Sequence, residues 1–245
     1  MMEQNVTVVL SKVCKRKLDM TLWKQYDSIS MSGCGMLNFY QVGVYKALYE
    51  LGIPSDIRFA GASAGACMSV LMAQKTDPDE IAQVAIDILR PHKCKNLITN
   101  PKIMFHFADE FLGHFITEDT LPKVMGKVGI SITLLRGFKN ILVEEFTDRS
   151  DLDAAIRGSC HLPSAKHPYT KFRSRRVIDG GFSNNCPRIS PNSLRISPIM
   201  LDRRKQIRPT KTIGPWWGIV VPSPIKASKM FELGYNDMYA IAQHQ

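Results

Sequence analysis

The strongest candidate for chemistry in this chain is a serine set among the smallest residues, Gly61-Ala62-Ser63-Ala64-Gly65. Gly-x-Ser-x-Gly between a strand and a helix forms a nucleophile elbow, a sharp turn that lifts the serine hydroxyl clear of a sheet. Gly61 and Gly65 remove side chains that would strike the neighbouring strand and helix, and Ala62 and Ala64 suit the same crowding. A hydroxyl nucleophile also needs a base and donors for the oxyanion that develops on attack. Ser32-Gly33-Cys34-Gly35 follows the preceding strand and opens a helix, so the backbone N–H groups of Gly33, Cys34 and Gly35 are the expected oxyanion donors. A dinucleotide fingerprint, Gly-x-Gly-x-x-Gly, is the competing reading of that turn; it fails because Asn38 stands at the third glycine. Cys34 reads as a small filler rather than a second nucleophile.

The base is less obvious. The histidines are His92, His106, His114, His161, His167 and His244. A triad in the order Ser…Asp…His would run from Ser63 through Asp148 or Asp153 to His161 or His167, and no turn chemistry singles any of these out. Val177-Ile178-Asp179-Gly180-Gly181, in contrast, is an apolar strand that ends in a carboxylate and two glycines, which leave room for another backbone or a substrate. Only His244 follows Asp179, so Asp179 is not the middle member of an ordinary triad. A Ser63–Asp179 dyad is the simpler arrangement.

These residues need elements to hold them. Ser28-Ile29-Ser30-Met31 alternates polar and apolar as a strand does; Phe39, Val42, Val44, Leu48 and Leu51 describe an amphipathic helix stopped by Gly52 and Pro54. Ile57 to Ala60 is the next strand and Ala66 to Ala73 a buried helix; the two strands joined through the first helix make a right-handed parallel βαβ unit. Asp77-Pro78-Asp79-Glu80 starts another helix, with proline and acids in its first turn. Further strands are expected at 131–134, 140–143 and 176–178, at Ile196 and over 217–221, with a short helix from Asp151 to Ile156. The sum is an α/β chain with a mostly parallel sheet, and the loop-rich stretch 187–215 is no domain boundary. Ile103, Phe107, Phe111 and Phe115 form an apolar helical stripe, better read as core-facing than as an acyl-chain groove or lid. Trp216-Trp217 suits either a membrane interface or a buried strand edge.

Three stretches, Ser32-Gly33-Cys34-Gly35-Met36-Leu37, the Ser63 pentapeptide, and Asp179-Gly180-Gly181-Phe182-Ser183-Asn184-Asn185-Cys186-Pro187, together resemble the patatin-like phospholipases in order and rough spacing. The Gly-Cys-Gly form and the Tyr40/Val42-Gly43-Val44 stretch look most like the eukaryotic branch that contains adipose-type triacylglycerol lipases. The resemblance covers roughly residues 27 to 200. It implies a three-layer α/β/α sandwich, a Ser63–Asp179 dyad with Asp179 as general base, and an oxyanion hole at Gly33–Gly35. It also implies hydrolysis of acyl esters in phospholipids or neutral glycerolipids. Two positions depart from the family pattern: Asn38 replaces the last glycine, and Met36-Leu37 stand where plant and bacterial members often carry Arg or Lys.

Bulk properties set the remaining expectations. The hydrophobic fraction of 44% and the charged fraction of 22% are those of an ordinary globular chain, and 245 residues suffice for one domain, with a leader before the motif-bearing core and a helical tail after it. The net charge of +10 favours anionic partners, with basic clusters at Lys12 to Lys17, Arg173 to Arg176 and Arg203 to Lys205. No nucleic-acid motif accompanies them, so a lipid substrate at a membrane or lipid-droplet surface is the expected partner. Six widely spaced cysteines, a poor secretory signal and no run of 18 apolar residues suggest a cytoplasmic protein with peripheral membrane contact. No calcium loop is visible, so neither metal nor cofactor is expected. Besides the dyad hydrolase, a His-dependent esterase and a catalytically silent basic lipid-surface protein of the same fold stay open.

Overall fold

The computed structural model describes residues 22–199 and 206–243. After a single helical turn, α1 (Leu22–Gln25), come β1 (Ser28–Met31), α2 (Asn38–Leu51), β2 (Arg58–Ala62), α3 (Ala64–Ala73) and α4 (Pro78–Leu89). The middle of the chain supplies α5 (Pro101–Phe115), α6 (Thr120–Val124), β3 (Val128–Leu134), β4 (Lys139–Val143) and α7 (Arg149–Ser159). Then follow β5 (Thr170–Phe172), β6 (Arg175–Asp179), α8 (Gly181–Asn184), β7 (Ser193–Ile196) and α9 (Pro224–Gln243). The caps explain several starts. Asp77 accepts from the Asp79 N–H at 2.8 Å with Pro78 at the first helical position, and Asp148 accepts from the Asp151 N–H at 2.8 Å to start α7.

The sheet runs β5-β6-β3-β2-β1-β7, with β4 also paired to β3. The expected parallel character holds for β7, β1, β2 and β3, whereas β4, β5 and β6 join antiparallel. Every residue of β1 is buried, so its alternation of serine and apolar residues does not mark a solvent face. The strand is central, and its serines are satisfied internally: Ser28 Oγ meets Ser193 Oγ at 2.7 Å, and Ser30 Oγ donates to the Pro187 carbonyl at 2.5 Å.

The expectation of a strand over 217–221 is corrected. Pro215–Gly218 is a 3₁₀ turn, and Val220 makes only an isolated bridge to Asn96. Proline fixes the first residue of that turn, and Gly218 lies so close to Gly35 that a Cβ on Gly35 would overlap its carbonyl. Trp217 half-buries against the core under Lys226, 5.3 Å from its ring, while Trp216 stays exposed. Among the described residues no helix is long and apolar enough to cross a membrane. The basic clusters at 12–17 and 203–205 lie outside the described residues, as does His244. In the third cluster Arg173 is tied to Asp151 at 2.6 Å and Arg176 lies over the Tyr169 ring.

Candidate active site

Sheet register brings the candidate residues to one level. Met31 pairs with Gly61, Ala62 with Ser131, and Ile132 with Asp179. The Gly33–Gly35 turn and Ser63 therefore leave the carboxyl ends of two adjacent parallel strands. Asp179 reaches the same level at the end of an antiparallel strand two positions away. The antiparallel entry of β6 is what allows a carboxylate late in the chain to face a serine early in it.

Ser63 occupies φ 53°, ψ −128°, a left-handed conformation that costs a non-glycine residue roughly 1–3 kcal/mol and persists only where its surroundings enforce it. Two contacts enforce it. The Ser63 N–H donates to Ser159 Oγ at 2.8 Å, and that hydroxyl donates to the Ser131 carbonyl at 2.7 Å. Gly61 and Gly65 meet so closely that a Cβ on Gly61 would overlap the Gly65 carbonyl oxygen, and one on Gly65 would overlap the Met31 carbonyl. The N-terminus of α3 lies directly behind the serine, so its partial positive charge falls where negative charge would develop.

Asp179 is 3% exposed. Its Oδ1 accepts from the Gly181 N–H at 2.7 Å, whereas its Oδ2 is buried with no hydrogen-bond partner. Burial pushes its carboxyl up to about 6, against smaller opposing effects of the nearby Ser63 hydroxyl and of the Gly181 N–H. The Ser63 hydroxyl lies near enough to oppose that rise, and Oδ2 is left without a hydrogen-bond partner. Gly180 and Gly181 serve this placement: a Cβ on Gly180 would overlap the Ser131 carbonyl.

At the glycine turn the expected oxyanion donors divide. The Gly33 N–H is committed to the Asn185 carbonyl at 3.0 Å, and Asn185 Nδ2 returns a bond to the Gly33 carbonyl at 3.1 Å. Among the described residues the N–H groups of Cys34 and Gly35 have no partner, which leaves these two to face an oxyanion. Burial, with the Asp179 charge nearby, holds the Cys34 thiol well above its ordinary value, so it stays protonated.

Serine, aspartate and glycine turn all line one cavity of about 340 Å³, within the range of small-molecule sites. Its walls are almost wholly apolar, with Met36, Phe39, Val42, Ile81 and Leu89 on one side and Met104, Phe107, Phe111 and Leu112 on another. The α5 stripe thus has two roles. Ile103, Phe111 and Phe115 are buried in the core as expected, and Phe107 with Phe111 also forms cavity wall. Asn38 lines the cavity with its Oδ1 buried and unpartnered. Cys67 and Cys160 meet there at 3.8 Å between sulfurs.

The residues of the alternative triad are dispersed. Asp148 caps α7, Asp153 binds Arg157 at 2.6 Å, and His161 Nε2 lies 3.0 Å from the His167 carbonyl. Neither histidine lines the cavity. Ser159, which fixes the serine, carried no signal in the sequence, sitting in an unremarkable Arg-Gly-Ser-Cys stretch; Asn185, which fixes the glycine turn, lies in the Asp179–Pro187 stretch but had no role assigned there.

The family model for patatin-like phospholipase matches residues 29–190, and the chain belongs to that family. Its relatives include the omega-hydroxyceramide transacylase of Homo sapiens, 35% identical over an alignment of 175 residues, with 65% of this chain and 31% of the relative covered. The human 1-acylglycerol-3-phosphate O-acyltransferase is 33% identical, with 70% of this chain and 37% of the relative aligned. Patatin-like phospholipase domain-containing protein 2 of Rattus norvegicus is 26% identical over the same shares, 70% and 37%. The chain therefore spans only about a third of the length of these relatives. The crystal structure of VipD from Legionella pneumophila superposes with a TM-score of 0.52 at 12% identity, covering 90% of this chain and 67% of that one. This likeness, together with strands buried on both faces and helices packed on them, establishes the three-layer α/β/α sandwich.

Proposed function

We propose that the chain is a lipid acyl hydrolase that cleaves fatty-acyl esters of phospholipids or neutral glycerolipids through Ser63 and Asp179. The observation that carries this reading is the meeting of a strained serine and a buried carboxylate with an unpartnered oxygen at an apolar cavity. In the first half-reaction Ser63 Oγ attacks the ester carbonyl carbon while its proton passes to Asp179 Oδ2. The Cys34 and Gly35 N–H groups and the α3 N-terminus stabilise the oxyanion. Collapse breaks the bond to the alcohol, which leaves with the proton from Asp179. Water then attacks the acyl-Ser63 ester, gives its proton to Asp179, and the fatty acid departs as Ser63 is restored. A carboxyl near 6 is a better proton acceptor from serine than one near 3.8, since the mismatch with the hydroxyl is smaller.

The printed names of two relatives, a transacylase and an acyltransferase, favour a second reading in which an alcohol takes the place of water in the second half-reaction. The acyl-enzyme is common to both. Fluorophosphonate labelling and ester hydrolysis over a lipid panel, with and without an added alcohol acceptor, separate them. Ser63→Ala should abolish labelling, and both Ser63→Ala and Asp179→Asn should reduce turnover at least a thousandfold. Retained turnover in Asp179→Asn would refute the dyad, and an unlabelled wild-type Ser63 would favour a silent lipid-surface protein.

A further inference from the structure

We propose that the β3–β4 turn, together with Phe182, is the edge by which the protein enters an anionic lipid bilayer, setting the mouth of the cavity against the membrane. The turn reads Leu135-Arg136-Gly137-Phe138-Lys139, and all five residues are exposed. Leu135 is 39% and Phe138 54% exposed, unusual values for large apolar side chains in a fold with so much buried area available. Phe138 also sits at φ 50°, a backbone conformation in which a bulky aromatic is out of place and glycine or asparagine would be at ease. Phe138 is not among the residues packed in the core, so burial does not offset that conformation.

The turn is not isolated from the site. The Phe138 and Phe182 rings lie 6.4 Å apart at 67°, and Phe182, 50% exposed, is also part of the cavity wall, as is the exposed Leu162. Asn140 Nδ2 donates to Ser131 Oγ at 2.7 Å and to Ser183 Oγ at 3.1 Å, which binds the turn and α8 into one unit. The apolar edge is thereby fixed beside the cavity that Phe182 lines.

Charge selects the partner. Arg136 and Lys139 flank the aromatic, none of the ion pairs among the described residues uses them, and residues 134–143 contain no acid. Apolar tips with basic neighbours match the boundary between acyl chains and anionic headgroups, and the chain as a whole carries +10. A protein partner would need acids aligned to two cations on a short turn, whereas a bilayer supplies them at any register.

This inference rests on the proposed lipid-hydrolase reading for its purpose, but its test does not. Binding is measured by vesicle flotation in the Ser63→Ala background, so that no lipid is consumed, with phosphatidylcholine vesicles alone or containing phosphatidylglycerol. Expected are tighter binding to the anionic vesicles, weakened by 1 M salt, and at least a tenfold loss in Leu135→Ser/Phe138→Ser. Arg136→Glu/Lys139→Glu should erase the preference for anionic vesicles. In the active chain both double variants should hydrolyse a soluble short-chain ester, and be labelled by fluorophosphonate, within twofold of wild type, which also shows that they fold. Wild-type binding by either variant, or no binding to anionic vesicles by the unmodified turn, would overturn the proposal. Loss of Ser63 chemistry with vesicle binding intact would instead sink the hydrolase reading alone.

Discussion

Asp179 carries the sharpest consequence at the level of single residues. A carboxyl whose folded pKa lies near 6, above its ordinary 3.8, holds its proton more tightly in the folded protein than in the unfolded chain. Its contribution to stability is therefore most favourable below about pH 4 and is lost as pH rises through 6. Above that range the folded protein carries a buried charge that burial opposes. Asp179→Asn removes the titration while its side-chain oxygen can still accept from the Gly181 N–H. The variant should be more stable than wild type at pH 8 and no more stable at pH 4. The interval from 3.8 to about 6 sets a ceiling of about 3 kcal/mol on the gain. Thermal melts of both proteins across pH 4–8 check the sign; a gain that is the same at both ends would mean that packing rather than charge is responsible. If Asp179 is the proposed base, the same titration governs activity, since it accepts a proton only when ionised. Turnover of a soluble ester should rise about tenfold per pH unit below 6 and level off above it.

Among the secondary-structure elements, the closest packing lies away from the chemistry, where α9 runs along α2. A Cβ on Gly43 would overlap the Phe231 carbonyl, and one on Gly234 the Tyr40 carbonyl, so two glycines let the helix backbones touch. Beside them Asp237 accepts from Tyr40 Oη at 3.1 Å, from the Thr210 N–H at 3.1 Å and from Thr210 Oγ1 at 2.5 Å. Gly43→Leu or Gly234→Leu forces the helices apart and should cost at least about 1–3 kcal/mol, read as a lowered Tm, without changing fluorophosphonate reactivity of the folded fraction. The glycine in Leu233-Gly234-Tyr235-Asn236-Asp237 was visible in the sequence, but its purpose was not, because the partner sits almost two hundred residues earlier. The same limit explains the rest of what sequence reading missed. Local pattern located Ser63, the glycine turn and Asp179, since each sits at an element end marked by glycine. It was silent on Ser159 and on the roles of Asn185 and the Gly33 N–H, which exist only across the sheet. It also misjudged 217–221, where apolar residues suggest a strand but Pro215 and the Gly35–Gly218 approach impose a turn.

For the molecule as a whole, the ends of the interior strands β1, β2 and β6 bring a serine and a carboxylate to an apolar chamber whose far wall is a helix from outside the βαβ core. α5 packs on α4 and turns Met104, Phe107 and Ala108 toward the cavity that Ser63 opens into. On the proposed reading this division separates chemistry from selectivity: the βαβ unit and β6 hold Ser63 and Asp179, and α5 would set how much acyl chain fits. Ala108 is the small position on that wall, so Ala108→Trp shortens the chamber without touching Ser63, Asp179 or the glycine turn. If an indole displaces two methylenes of bound acyl chain, at about 0.8 kcal/mol each, discrimination between long and short chains shifts by roughly tenfold. The expected outcome is a fall of that size in kcat/KM for a hexadecanoyl ester relative to a butanoyl ester, with the butanoyl rate nearly unchanged. Ester series of increasing chain length measure it directly. An equal loss for every chain length would place the acyl group outside this chamber and leave α5 as core wall alone.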